Sequence, residues 1–341
     1  VLADESRQDT HGIPIPCEGL SSPLIKTESC MKVLILGAGA IGGYYGARLL
    51  QAGTDVTFLV RPNRATALQR EGLRVKSPQA NFHGRVRAIV AGDSEEVFDV
   101  VVVACKAYDL RAAMDAITPH VGAHTVIVPL LNGLKPYDQL DARFGRERIA
   151  GGVAYIATML DESGDIVHLN AADKLIVGAR HASQRHAIES LYAALSQGEG
   201  LREISDDIEQ ELWEKWVMLA TGATATCLMQ ASIGEIVATR DGTSLVRQIL
   251  EDCVATAAAQ GKAPRENARA SIERLLLDPA SAWKASMRRD IERGARRIEA
   301  DAIVGDMLTR ARQAGVTSPL LTAAYCLLQT YEAHAGSGTS Q

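Results

Sequence analysis

From residue 32 onward, short runs of β-branched and aliphatic residues recur at 32–36, 55–60, 99–105 and 125–131, with room for one helix in each interval. Successive rather than alternate positions are apolar, as in strands covered on both faces, and the intervals demand helical crossovers. The pattern predicts a parallel, doubly wound sheet. Further β-rich stretches lie at 149–158, 165–169 and 175–178, with Gly164 as a turn signal between the first two. They are expected to extend or edge the same sheet.

The texture changes near Ser205. Asp206, followed three residues later by Glu209, is a helix-start signature ahead of a long amphipathic pattern, and no strand is expected beyond it. Within 243–260, Leu245, Val246, Ile249, Leu250, Cys253, Val254 and Ala257 recur at helical spacing, and Gly261 follows where a helix should stop. The same period returns at 302–314 and 320–330. The fold class expected is therefore an α/β Rossmann-type N-terminal domain over 31–204 followed by an all-α C-terminal domain over 205–335. Residues 1–30, rich in Pro, Ser and charge, read as a disordered leader or upstream extension, and 336–341 as a flexible tail.

A length of 341 residues accommodates two domains, each with its own core. A net charge of −5 gives no electrostatic reason to approach nucleic acid. The longest apolar stretches, such as 100–105 and 126–131, fall far short of the ~20 residues that a membrane helix needs. The six cysteines are scattered, with no C-x-x-C pair and no nearby histidine pattern, so neither a metal site nor a disulfide framework is signalled. A reducing cytoplasm suits this usage.

Where the first strand ends, Gly37-Ala38-Gly39-Ala40-Ile41-Gly42 opens a helix, which is G-x-G-x-x-G between a strand and a helix. The first glycine serves a tight turn, the second lets the backbone approach a pyrophosphate, and the third lets the helix pack closely; the helix N-terminus at Ala40 and Ile41 adds N–H donors. Close packing without a ligand is the alternative. At the end of the second strand an acidic residue would select NAD, but this chain has Arg61, with Arg64 nearby, which favours the 2′-phosphate of NADP(H) over a merely solvated arginine.

Ligands of open parallel sheets bind beyond the carboxyl ends of the strands, where Lys106 and Asn132 stand; both could reach a nicotinamide, and both could be ordinary loop residues. Lys215 is flanked by Trp213 and Trp216, two of the three tryptophans. A buried, cation-compatible niche there would lower its pKa and suit it to donate a proton to an alkoxide. Spacing alone favours the plainer account, an i, i+4 pair with Glu211.

Taken together, Gly37 to Gly42, Arg61, Cys105-Lys106-Ala107, Asn132-Gly133, Glu211-Leu212-Trp213-Glu214-Lys215 and Ser286-Met287-Arg288-Arg289-Asp290 resemble the ketopantoate reductase (2-dehydropantoate 2-reductase) family, over residues 31–333. The resemblance implies a Rossmann-type domain followed by a helical one, and NADPH-dependent reduction of ketopantoate to pantoate, a step of pantothenate biosynthesis. It implies that Lys215 is the catalytic lysine, that Asn132 and Lys106 line nicotinamide and substrate, and that Ser286 contacts the substrate carboxylate. It also matches Glu299 to the family's glutamate for the substrate hydroxyl, although the interval from Asp290 is one residue longer than usual. A homodimer through the helical domain is implied as well. Leu219 and Ala223 stand where the family commonly has asparagines, which puts the particular substrate in question. A related oxo- or hydroxy-acid enzyme, or a catalytically silent NADP(H)-binding sensor, stays open.

Overall fold

In the computed structural model, which describes residues 31–337, the apolar runs become parallel strands because each has two faces to bury. β1 (Lys32–Leu36) leads through α1 (Ala40–Gln51) to β2 (Asp55–Leu59). After α2 (Pro62–Glu71), β3 (Leu73–Lys76) and β4 (Phe82–Gly84) form a hairpin outside this sheet, and β5 (Arg87–Ile89) returns to pair with β2. β6 (Val100–Val103), α3 (Leu110–Ile117) and β7 (Val126–Pro129) complete a sheet of order β5-β2-β1-β6-β7, parallel throughout. Along β1, Val33 and Ile35 enter one core with α1, whereas Leu34 and Leu36 enter a second core with Leu110, Ile117 and Leu140. That division is why the run tolerates no polar position.

α4 (Lys135–Phe144) is followed by β8 (Gly151–Leu160) and β9 (Ile166–Gly178), an antiparallel pair that does not extend the first sheet. These strands belong to a second sheet, in which β9 also pairs with β3 and, across α5 (Arg185–Leu195), with β10 (Leu201–Ile204). A single bridge, Ile127 to Ile149, touches the parallel sheet. The stretches expected at 165–169 and 175–178 are one strand of 13 residues. Its exposed middle, 169–172, has no partner on β8, and the register shifts there between Ile156 and Thr158. Gly164, at φ +79°, makes the expected turn.

α6 (Ile208–Met229) starts one residue later than the sequence signature suggests: Asp207, not Asp206, caps it by accepting the Gln210 N–H at 3.1 Å. Nor is this helix amphipathic, since every position from 220 to 227 is buried. It forms the axis of the helical region, and a helix enclosed on all sides needs no polar face. Around it lie α7 (Ile233–Val237), α8 (Gly242–Ala259), α9 (Glu266–Leu276), α10 (Ser286–Glu292), α11 (Asp306–Gln313) and α12 (Pro319–Ser337), with a π-helical turn, Asp301–Gly305, leading into α11. Gly261, at φ +71°, follows α8 as expected. α12 runs two residues into the segment expected to be a flexible tail; the rest of that tail, and the leader expected at 1–30, lie outside the described residues. Among the described residues no helix is long and apolar enough to cross a membrane, no group of three or more His, Cys, Asp or Glu is placed to hold a metal, and the four cysteines are free.

Candidate active site

The three glycines of the turn after β1 play different parts. Gly37 sits at φ +94°, a region L-residues avoid. At Gly39 an added Cβ would meet nothing within 4 Å, which leaves open space over the start of α1. At Gly42 it would lie 2.2 Å from the Gly37 carbonyl oxygen, so the helix could not approach the strand. No side chain caps α1, and its first N–H groups, from Ala40 and Ile41 onward, are available to an anion. This cradle fits a pyrophosphate.

At the end of β2 the two arginines separate. Arg64 is half-buried, donating to the Ala38 carbonyl at 3.2 Å and to the Gly164 carbonyl at 3.0 Å, so it braces the glycine turn. Arg61 is 78 % exposed and pairs with Asp109 at 2.8 Å. Asp109 closes a 3₁₀ turn, Ala107–Asp109, after β6, and its carboxylate is also 3.4 Å from Arg297 of the helical region. Sequence reasoning missed this carboxylate, which reaches the end of β2 through space.

Lys215 lies on α6, and the niche formed by the tryptophans is not its own. Trp213 and Trp216 pack together at 5.1 Å, and the cation over them is Arg310. Glu211 pairs with Arg265 instead of forming the expected i, i+4 bridge, and Arg265 also grips the buried Glu214. Lys215 instead faces Tyr155 of β8, its Nζ 5.8 Å from the ring centroid. Burial lowers its pKa to about 8, with Glu299 opposing that shift. Among the described residues the ammonium has no hydrogen-bond partner.

Glu299 draws the two regions together. It is 7 % exposed, accepts the Ala107 N–H at 3.1 Å and stands 3.4 Å from Lys106 Nζ, which also pairs with Asp290 at 3.0 Å. Burial works to lower the Lys106 pKa, but Glu299 and Asp290 hold it above the ordinary lysine value. Burial also pushes the neighbouring Cys105 thiol up to about 12, which favours the neutral thiol at neutral pH. Beside this cluster, Gly133 at φ +83° lies against the Ala302 carbonyl of the π turn, 2.3 Å from where a Cβ would stand. The next carbonyl, of Ile303, accepts the Trp216 indole N–H at 3.0 Å. The turn carrying Asn132, the π turn and the helix of Lys215 are thus pinned to one another.

Ser286 occupies the first turn of α10, the helix that bears Asp290. Leu219 is partly buried one turn beyond Lys215, and Ala223, one turn further, is 2 % exposed within the helical core. Of the residues singled out from sequence, Lys106, Glu299 and Lys215 converge electrostatically, Asn132 precedes Gly133, which packs against the π turn, and Arg61 stands at the end of β2. Tyr155, Asp109, Asp290 and Arg297 join the site from the structure. Asp290 belongs to the 286–290 motif already quoted, and Asp109 and Arg297 lie within three residues of Lys106 and Glu299, whereas Tyr155 had no sequence signal.

Residues 33–181 match the sequence profile described as "Ketopantoate reductase PanE/ApbA", and residues 207–332 match "Ketopantoate reductase PanE/ApbA C terminal". The chain is 34 % identical over 303 residues to "Uncharacterized oxidoreductase YkpB" of Bacillus subtilis (strain 168), covering 89 % of this chain and 99 % of that one. It is 28 % identical to the 2-dehydropantoate 2-reductase of Mesorhizobium japonicum, with 88 % and 97 % covered. The solved 2-dehydropantoate 2-reductase of Geobacter metallireducens superposes with a TM-score of 0.78 at 31 % identity, with 88 % and 99 % covered. With its parallel-sheet N-terminal region and helical C-terminal region, this chain belongs to the ketopantoate reductase family of oxidoreductases.

Proposed function

We propose that the chain is an NADPH-dependent reductase of a small 2-oxo acid, with residues 31–204 holding the cofactor and 205–335 the substrate. The observation that carries this reading is Lys215, a half-buried ammonium facing Tyr155, with a pKa lowered to about 8 and no hydrogen-bond partner among the described residues. It faces the same carboxylate, Glu299, that Lys106 reaches from the carboxyl end of β6. Such a lysine is protonated at neutral pH yet gives up its proton readily, as a general acid must.

Gly37, Gly39 and Gly42, with the N–H groups of Ala40 and Ile41, bind the pyrophosphate, and Arg61 binds the 2′-phosphate. Lys106 and Asn132 orient the nicotinamide end. The chemistry supplied by the cofactor when bound is hydride for the carbonyl carbon. Asn132 holds the carbonyl and Ser286 the carboxylate of the substrate. Lys215 passes a proton from Nζ to the developing alkoxide and regains it from water. Glu299 favours the charged form of Lys215 and is itself held by Lys106 and Ala107. Ketopantoate is the family substrate, but Leu219 and Ala223 present no amide to its hydroxyl, and this favours a less polar 2-oxo acid. The working form in this reading is a cytoplasmic homodimer joined through the helical region.

The test is NADPH oxidation across a panel of 2-oxo acids that includes ketopantoate and 2-oxoisovalerate. Turnover of at least one is expected. Tight NADPH binding with no turnover of any would instead mark a silent sensor.

A further inference from the structure

We propose that Asp109 sets the preference between the two nicotinamide cofactors by competing with a 2′-phosphate for Arg61. The inference rests on the assignment of Arg61 to that phosphate. One carboxylate is shared here between two guanidinium groups, 2.8 Å from Arg61 and 3.4 Å from Arg297. Arg297 is fastened by two other contacts: it donates to the Tyr108 carbonyl at 2.7 Å and lies 4.4 Å over the Tyr108 ring. Arg61 is the more exposed partner, at 78 % against 58 %.

A phosphate arriving at Arg61 meets the like charge of Asp109 at contact range, and the ribose hydroxyls of NADH do not. Asp109 therefore penalises NADPH selectively. Arg297 limits the penalty, because it gives the displaced carboxylate a partner that is already in place. The Arg61 side of the pair is solvent-exposed and hence weakly held, which lets the exchange occur on binding. The contact also links the cofactor's far end to the helical region, since Arg297 lies two residues before Glu299.

The test uses the full chain and measures dissociation constants for NADPH and NADH by nicotinamide fluorescence, in the natural protein and in three variants. Asp109→Asn should raise the ratio of NADPH to NADH affinity by roughly two- to fivefold, and Arg297→Gln should lower it by a similar factor, both shrinking as salt is added. A merely structural disturbance would move both variants the same way, or both cofactors together; either result overturns the inference. Arg61→Ala separates it from the reading on which it rests. If that variant leaves the ratio unchanged, the phosphate assignment itself fails. If it collapses the ratio while Asp109→Asn and Arg297→Gln leave it flat, only the role of Asp109 is lost.

Discussion

Glu299, just ahead of the π turn, offsets the solvation problem of Lys215 on α6: burial drives the lysine toward its neutral form, and the carboxylate draws it back, leaving a pKa of about 8. Because Lys215 donates its proton only when charged, kcat/KM for reduction should be level below pH 8 and fall as pH rises through that value. Glu299→Gln removes the opposing charge, so the limb should move to lower pH. Profiles of both proteins on the best substrate check this, and an unmoved limb would separate the two residues.

Lys215→Met should lower kcat by about two to four orders of magnitude while NADPH still binds, the range expected for a positioned acid. The same change should stabilise the fold. The lysine pKa is depressed from 10.5 to about 8 on folding, so at neutral pH the folded state carries a charge that water solvates better. Removing that charge is worth about 1–3 kcal/mol at pH 7. The cost is full below pH 8, fades between 8 and 10.5 and vanishes above. Thermal melts at pH 7 and pH 10 should therefore show the Tm advantage of the variant shrinking with pH.

Gly133→Ala tests the docking of the Asn132 turn. The residue is at φ +83°, and a Cβ would lie 2.3 Å from a backbone oxygen that cannot rotate away. Strain of this kind costs about 1–3 kcal/mol before any displacement of the turn. Tm and kcat should fall together, with NADPH affinity less affected, since the glycine turn after β1 is untouched. Normal turnover in this variant would mean that Asn132 needs no such placement.

Substrate preference can be read from two acids that differ by a hydroxymethyl group. Desolvating a polar group without pairing it costs ~1–3 kcal/mol, so 2-oxoisovalerate should exceed ketopantoate in kcat/KM by roughly five- to a hundredfold. Leu219→Asn should narrow the gap. Ala223 is a poorer site for the same change, being inside the helical core, where an unpaired amide would destabilise the fold instead of serving the substrate. A natural protein that strongly prefers ketopantoate would show that the missing amides do not matter.

The parts legible in the sequence are those governed by local chemistry. Strands with two buried faces are written as largely apolar runs, and the glycine turn is written as G-x-G-x-x-G, with Gly37 fixed by its positive φ and Gly42 by the nearby Gly37 carbonyl. The second sheet was not legible as such, because β3, β4 and β10 are each three or four residues long and β9 is exposed through its middle. Lys215 was found, but the tryptophans beside it in sequence serve Arg310, and its own aromatic neighbour, Tyr155, comes from β8. On a helix enclosed from every side, sequence neighbours point in different directions, and only the packing tells which one shares a surface. Asp109 was missed for a related reason: an acidic residue was sought at the end of β2, and one arrives there from the loop after β6.

The π turn at Asp301–Gly305 presents two consecutive main-chain carbonyls sideways, one against Gly133 and the other to Trp216. Those anchor points are backbone atoms, so they survive almost any exchange of the side chains at 302 and 303. They depend instead on helical register. A π turn accommodates one residue more than the α-helix around it, and deleting a single residue there would rotate both carbonyls back into the helix and unhook the two partners at once. The joint between the regions should therefore drift freely in composition while tolerating no change in length.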